Sequence, residues 1–251
     1  MIELYHGEPN GFALKALIAL EEKGAQYSSK QIASQPLERA VPGFPPSQDQ
    51  AINLEREGPV LVDGGETITG SFFMLEYIAE TVPGPDLLPQ NSHDRYQAQS
   101  WGQYVALVLS PFVCGLGLSR HPIADASDDY IDVEPIERRQ SWQTASKPLP
   151  AETEAIYLER LAIAVTRLEQ ELAEGRDYFA GNQFSIADID VFAMVRNLED
   201  VAPGSLDDAP NLKAFIERIS ARPSVAKALA KSASGQPESC FLPGPEPARW
   251  G

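Results

Sequence analysis

The sequence is poor in the side chains that build metal and redox centres. Its only two cysteines, Cys114 and Cys240, lie far apart and form no Cys-x-x-Cys pair, so neither a zinc site nor a dithiol redox pair is indicated. The three histidines include no His-Glu-x-x-His motif, which would mark a zinc site on a helix. We therefore expect no metal, and we expect Cys114 in the core and Cys240 as a free thiol.

Basic residues are also scarce: 20 lysines and arginines stand against 36 acidic residues, for a formal net charge of −16. That charge repels nucleic acid and anionic lipid, and it favours solubility. We find no run of the roughly 18 apolar residues that would span a bilayer and no secretory signal at the start. The prediction is a soluble cytoplasmic protein without nucleic-acid or membrane partners.

The first 83 residues do contain a clear alternation of strand and helix patterns. The predicted elements are a strand at 2–5, a helix at 12–23 stopped by Gly24, a strand near 26–33, a surface loop at 35–50, strands at 60–62 and 66–69, and a helix from about Ser71. The order βαβ, loop, ββα predicts an α/β domain over residues 1–83.

Residues 91–231 change to helical periodicity almost throughout, which predicts a second, all-helical domain. Its predicted helices cover 94–118, 151–174, 185–199 and 210–231. The Pro-rich stretch 232–251 cannot form a long helix, and we expect a disordered or extended tail.

Two local signals stand out. Ser185 and Asp188 are spaced as a capping box at a helix start, with Phe184 and Ile189 as a hydrophobic staple. Pro59 stands at the entry to a strand, where it cannot donate to the sheet, so it belongs at an edge or a special turn. The sequence leaves open whether the Gly58–Pro59 bond is cis or an ordinary trans bond.

Together these segments resemble the glutathione S-transferase superfamily from residue 2 to about residue 231. The matching stretches are ALEEKG, GPVLVDGGETITGSFFMLEYIAE, YFAGNQFSIADIDVFA and PNLKAFIERISARPSVAKAL. Within the superfamily, residues 133–175 are similar to a segment of the bacterial β-aryl-etherases of sphingomonads, which cut ether bonds in lignin-derived aromatics; an unrelated insertion is the alternative. The resemblance implies a thioredoxin-like domain followed by a helical domain, glutathione as cosubstrate, and a dimer.

Such enzymes lower the pKa of the glutathione thiol, since the thiolate is the nucleophile. The family uses a hydroxyl, amide or cysteine near the start of the first helix, yet residues 6–13 here contain no Ser, Thr, Tyr or Cys. Phe12 and Ala13 fall where the etherases have Asn-Ser. If a gap is allowed, EPNG resembles the TPNG of a related class, and Asn10 becomes the thiol-activating candidate. Glu8 then stands where a Thr is expected, and its carboxylate would oppose formation of the thiolate. The alternative is that Asn10 is only a helix N-cap or turn residue.

The glutathione-binding positions are altered too. The resemblance places Gly58 and Pro59 against the cysteinyl unit, with Gly58 where Val is usual, and it places Gly70 and Ser71 at the γ-glutamyl end. An acidic residue normally precedes that serine, and losing a charged hydrogen bond costs about 1.5–3 kcal/mol. The glutathione-binding site therefore lacks some of the groups that the resemblance implies.

The sequence therefore predicts a glutathione transferase of β-etherase type, acting on a small aromatic ether. Phe12, Trp101, Tyr104 and Phe112 are candidates for the aromatic wall of its substrate pocket, although Trp101, Tyr104 and Phe112 also fit a helical core. The alternative is a non-catalytic subunit that stabilises an active relative in a heterodimer. A ligand-binding protein independent of glutathione is a third hypothesis. Homodimer and heterodimer both stay open.

Overall fold

A four-stranded mixed sheet forms the centre of the N-terminal part in the computed structural model, which describes residues 1–32, 58–123 and 147–243. The strands are β1 (Ile2–His6), β2 (Tyr27–Gln31), β3 (Val60–Asp63) and β4 (Glu66–Ile68). In the order β2-β1-β3-β4, β1 is parallel to β2 and antiparallel to β3, and β3 and β4 form a hairpin. The predicted surface loop, part of the etherase-like segment and the last eight residues lie outside the described residues.

Helices make up most of the rest of the described chain. They lie where helices are predicted, but the predicted helices at 94–118 and 185–199 are each divided into shorter ones. They are α1 (Gly11–Lys23), α2 (Ser71–Thr81), α3 (Ser92–Tyr104), α4 (Ser110–Arg120), α5 (Ala151–Leu172), α6 (Ile186–Val195), α7 (Leu198–Val201), α8 (Pro210–Ser220) and α9 (Pro223–Leu229). A π-helical turn, Val105–Leu109, joins α3 to α4. The predicted helix at 210–231 is divided because Pro223 starts a new helix and cannot continue the previous one.

The stretch Ser92–Arg120 is long and apolar enough to cross a membrane, so the expectation that no such stretch exists was wrong. Ser110 and the glycines interrupt the run of apolar residues, but the mean hydropathy of its most apolar 18 residues stays high, at 1.4. Within the described residues, 61% of its apolar window is buried inside the protein. Such burial is typical of the core helix of a soluble protein.

Pro59 lies just before the first residue of β3, which is an inner strand and not an edge. Outside the ladder, its missing N–H removes no sheet hydrogen bond. Among the peptide bonds of the described residues none is cis, so the bond before Pro59 is trans. The placement at an edge was wrong because the neighbouring hairpin strand β4 covers the far side of β3.

One continuous hydrophobic core joins the sheet side and the helical side of the molecule. Helix α1 contributes to it on most of its faces, which explains why its pattern is apolar nearly all round. Within this core Lys15 of α1 pairs with Asp190 of α6 at 2.6 Å, and both side chains are almost fully buried. A buried pair of opposite charges therefore links the first helix to the helical part.

Candidate active site

A cavity of about 480 Å³ opens at the N-terminal end of α1. Three parts of the chain surround it: the β1–α1 loop and the first turn of α1 with the end of β2, the middle of α4 with the residues that follow this helix, and the C-terminal segment. The lining residues are Gly7, Glu8, Asn10 to Ala13, Gln31, Ile32, Cys114, His121 to Ile123, Ala233, and Ser239 to Leu242. The cavity thus lies where the resemblance predicts thiol activation.

Asn10 is the N-cap residue of α1, yet its side chain makes no cap hydrogen bond. Its Nδ2 donates to the Cys240 carbonyl oxygen at 3.0 Å, and its Oδ1 accepts from Asn197 Nδ2 at 2.9 Å. The side chain therefore ties α1 to the helical part and to the C-terminal segment instead of capping. An asparagine amide carries two N–H groups, so the second can be directed to a ligand.

Glu8 is held by the C-terminal segment. Its carboxylate accepts from the Ser232 hydroxyl at 2.5 Å, from the Ala233 and Ser234 backbone N–H groups at 3.2 and 2.9 Å, and from Gln31 Nε2 at 2.6 Å. Burial raises the pKa of this carboxyl, but the hydrogen bonds from Ser232, Ser234 and Gln31 outweigh it and lower the pKa. A stable negative charge thus stands at the cavity, and its field opposes a nearby thiolate.

The predicted γ-glutamyl positions lie at the N-terminus of α2, and they do not line this cavity. Ser71 is fully buried, and its Oγ accepts from Lys15 Nζ at 3.1 Å. Gly70 has φ of +78°, and a Cβ built there would lie 3.0 Å from the Phe73 ring. An acidic residue at position 70 would therefore be strained.

The aromatic candidates divide between two places. Phe12 lines the cavity. Trp101 packs edge-on against Tyr104 and Phe179 in the helical core, and Phe112 packs edge-on against Tyr157. Trp101, Tyr104 and Phe112 do not line the cavity, and their role in substrate binding stays a prediction. Gly58 and Pro59 do not line it either, and their role in glutathione binding also stays a prediction.

Two features of the cavity were not found from the sequence. His121 Nε2 lies 2.6 Å from Asp200 Oδ2, and the His121 ring stacks on Phe241 with the two planes only 10° apart. Both cysteines also line the cavity, from positions far apart in the chain. Burial raises the pKa of the Cys240 thiol, which does not favour a reactive thiolate. Tertiary contacts alone bring these groups together, and no local sequence pattern marks them.

Sequence comparisons decide the family. Residues 11–81 match the model of the glutathione S-transferase N-terminal domain, and residues 138–232 match that of the C-terminal domain. The chain belongs to the glutathione S-transferase family. The two matches cover the sheet domain from α1 onward and most of the helical domain, which confirms the thioredoxin-like plus helical architecture.

Similarity to individual members of the glutathione S-transferase family extends along most of the chain. Protein LigF of Sphingobium sp. is 26% identical over 92% of this chain and 94% of its own. Glutathione S-transferase U21 of Arabidopsis thaliana is 26% identical over 89% of this chain and 87% of its own. The crystal structure of beta-etherase LigF superposes with a TM-score of 0.79 at 26% identity, covering 92% of this chain and 99% of that one. A theta-class family member with bound glutathione, from Xanthomonas axonopodis, shares the fold with a TM-score of 0.61 at 18% identity.

Proposed function

We propose that this protein is a glutathione transferase of β-etherase type, and that it works in the cytoplasm as a dimer. The observation that carries the proposal is the cavity at the N-terminus of α1, whose walls include Phe12, Ile123, Phe241 and Leu242. It would hold an aromatic substrate beside the helix end where the family activates glutathione. Similarity to LigF over nearly the whole chain supports the same reaction class.

The proposed reaction is a displacement at the carbon between a ketone and an aryloxy group. The glutathione sulfur forms a bond to that carbon with its own electron pair, the carbon–oxygen bond breaks, and the electron pair leaves with the phenolate. The adjacent carbonyl activates the carbon, so the protein must mainly position a thiolate. The helix dipole and the backbone N–H groups at the start of α1 favour the negative sulfur, and the second N–H of Asn10 is a side-chain donor candidate.

Glutathione binding would use backbone groups more than side chains. In this proposal Gly58, next to Pro59, meets the cysteinyl unit, and the N-terminus of α2 at Gly70 and Ser71 meets the γ-glutamyl carboxylate. Because the Ser71 hydroxyl is bound to Lys15 and no acid stands at position 70, we expect weak affinity, in the high-micromolar to millimolar range.

A second candidate is an accessory subunit that stabilises an active relative in a heterodimer. The observation that favours it is the engagement of the candidate side chains elsewhere: Asn10 with Cys240 and Asn197, and Ser71 with Lys15. In that case the partner chain would supply the activating hydroxyl.

Calorimetric titration of glutathione into the purified chain separates the two candidates, followed by an assay of phenol release from 2-phenoxyacetophenone. The enzyme proposal expects saturable binding and glutathione-dependent phenol release. It also expects Asn10→Ala to lower kcat at least tenfold, while Asn182→Ala, which removes an exposed amide away from the cavity, changes nothing. No binding up to about 10 mM and no phenol release would reject catalysis by this chain alone and favour the accessory subunit.

A further inference from the structure

One pair of polar side chains at the cavity has no role in the displacement described above. His121 lines the cavity directly after α4, and its Nε2 lies 2.6 Å from Asp200 Oδ2 of α7. An ionised carboxylate only accepts hydrogen bonds, so Nε2 carries a hydrogen and Nδ1 is the ring nitrogen left for another partner. Among the residues that the structure describes, none is hydrogen-bonded to His121 Nδ1. The cavity thus contains a histidine whose second nitrogen is available to a ligand.

The ring of His121 is also held by contacts on other sides. It stacks on Phe241 with the two planes 10° apart and the ring centroids 6.0 Å apart. Phe241 belongs to residues 232–243, and the expectation of a disordered or extended tail does not describe this part of the chain. The preceding residue, Arg120, donates from Nε to the Val201 carbonyl oxygen at 3.3 Å, which fixes the end of α4 against α7. These contacts restrict the orientation of the imidazole, as a group that transfers a proton requires.

One short segment holds both polar candidates of the cavity. Asn197, directly before α7, donates to Asn10 Oδ1 at 2.9 Å, and Asp200 binds His121. The Asp200 N–H donates to the Asn197 carbonyl oxygen at 3.1 Å, so the two residues lie in one helical turn. Asn10 reaches the cavity from the β1–α1 loop, whereas His121 reaches it from the end of α4. Their separation is therefore fixed by one turn of the chain.

The geometry of a displacement gives this separation a meaning. The attacking sulfur and the leaving oxygen lie on opposite sides of the reacting carbon. A group that assists the leaving oxygen must therefore belong to a different wall from the groups that hold the sulfur, and His121 does. Histidine changes its charge between about pH 5 and 8, so its protonated form, in which Nδ1 carries a hydrogen, is accessible near neutral pH.

We propose that His121 is a catalytic residue, the general acid for the leaving aryloxide, and that Asp200 is its positioning residue. The inference rests on the proposed transferase function for its substrate class. As the sulfur–carbon bond forms, the carbon–oxygen bond breaks, its electron pair stays on the oxygen, and the Nδ1 proton moves to that oxygen, so that neutral phenol leaves. The imidazole then takes a proton from solvent, which balances the proton that glutathione lost on becoming a thiolate.

Leaving groups of different acidity test the proton transfer. His121→Gln keeps a polar side chain but has no acidic proton. With glutathione and 2-phenoxyacetophenone, we expect kcat to fall about 100-fold in this variant, a typical contribution of general acid catalysis. With 2-(4-nitrophenoxy)acetophenone we expect a loss below about threefold, because nitrophenolate leaves without being protonated.

The matched control for this variant is His93→Gln, which changes an exposed histidine of α3 and should leave both rates unchanged. Equal losses with the two ethers in His121→Gln would overturn the inference, because a structural defect does not distinguish between leaving groups.

Asp200→Asn tests the positioning role. The variant keeps the shape of the side chain but removes the charge that balances the imidazolium, and we expect kcat for 2-phenoxyacetophenone to fall about tenfold. The nitrophenoxy ether should again be affected less, and KM for glutathione should stay within about twofold, since no glutathione contact is lost. Asp208→Asn, at an exposed position after α7, is the control. An unchanged kcat in Asp200→Asn would overturn the role of Asp200.

A binding measurement separates failure of this inference from failure of the proposed function. 4-Nitrophenol is a leaving group by itself, and its ionised form absorbs visible light, so its binding and ionisation can be followed without turnover. We expect the wild type to bind it at least about fivefold more tightly than His121→Gln, with a larger ionised fraction, because a charged Nδ1–H stabilises the phenolate oxygen. This result would support the inference even if the wild-type chain released no phenol. No binding to the wild type, or equal affinity and ionisation in both proteins, would overturn it.

Discussion

Helices α1 and α6 begin in opposite ways. At α6, Ser185 and Asp188 form a complete capping box: the Ser185 side chain accepts from the first-turn backbone, and Asp188 Oδ2 accepts from Ser185 N at 2.8 Å. At α1, Asn10 makes no side-chain cap and instead bonds Cys240 and Asn197. The N-terminus of α6 is closed by two residues three positions apart, whereas the N-terminus of α1 opens onto a cavity.

The difference separates a structural helix end from one available for chemistry. A closed capping box satisfies N–H groups that would otherwise bind water or a ligand. An uncapped N-terminus beside a cavity keeps its dipole for an incoming anion. In this protein the same residue class, a small polar N-cap, serves either purpose according to where its side chain is directed.

The largest effect should come from the ion pair that joins the two helices. Lys15→Met removes the cation that lies 2.6 Å from the buried Asp190 carboxylate, and we expect a loss of about 3–5 kcal/mol in the free energy of unfolding. Urea denaturation checks this. The double variant Lys15→Met with Asp190→Leu should recover most of the loss, since both charges of this pair are then removed. A double variant as unstable as the single one would show that the pair does more than compensate charge.

Opening the closed helix end should have the next largest effect. Asp188→Ala removes the acceptor of the Phe179 N–H, the Ser185 N–H and the Ser185 hydroxyl, and we expect about 2–4 kcal/mol of destabilisation. Thermal denaturation followed by circular dichroism measures it. Asp208→Ala, at an exposed position, should stay within about 0.5 kcal/mol of the wild type. A loss under about 1 kcal/mol at Asp188 would remove the contrast between the two helix ends.

The smallest effect should follow from changing the open helix end. Asn197→Ala deletes one partner of Asn10, and we expect a loss of about 0.5–1.5 kcal/mol. Since Asn10 and Asn197 share one hydrogen bond, the double variant with Asn10→Ala should be less destabilised than the sum of the single variants. Strict additivity in chemical denaturation would indicate that the two amides do not interact.

Local patterns could be predicted from the sequence, and long-range ones could not. The Gly24 stop and the Ser185 capping box each depend on residues within one or two turns, and both are confirmed in the structure. Apart from Gln31, the side-chain partners of Glu8 and Asn10 lie more than 180 residues further along the chain. No local pattern specifies such pairs, because only the packed core fixes which distant segments meet. The edge alternative for Pro59 was wrong for the same reason: strand order is a tertiary property.

The position of the cavity wall at the far end of the chain also bears on how the protein is made. During synthesis the sheet domain and the first helices leave the ribosome well before residues 232–243, and domains generally fold as units as they emerge. The loop carrying Glu8 and Asn10 is therefore made early, but its partners at 232–240 are made more than 220 residues later. The cavity can be complete only after residues 232–243 have been synthesised, so a chain that stops before this segment would have a folded transferase scaffold with an incomplete pocket.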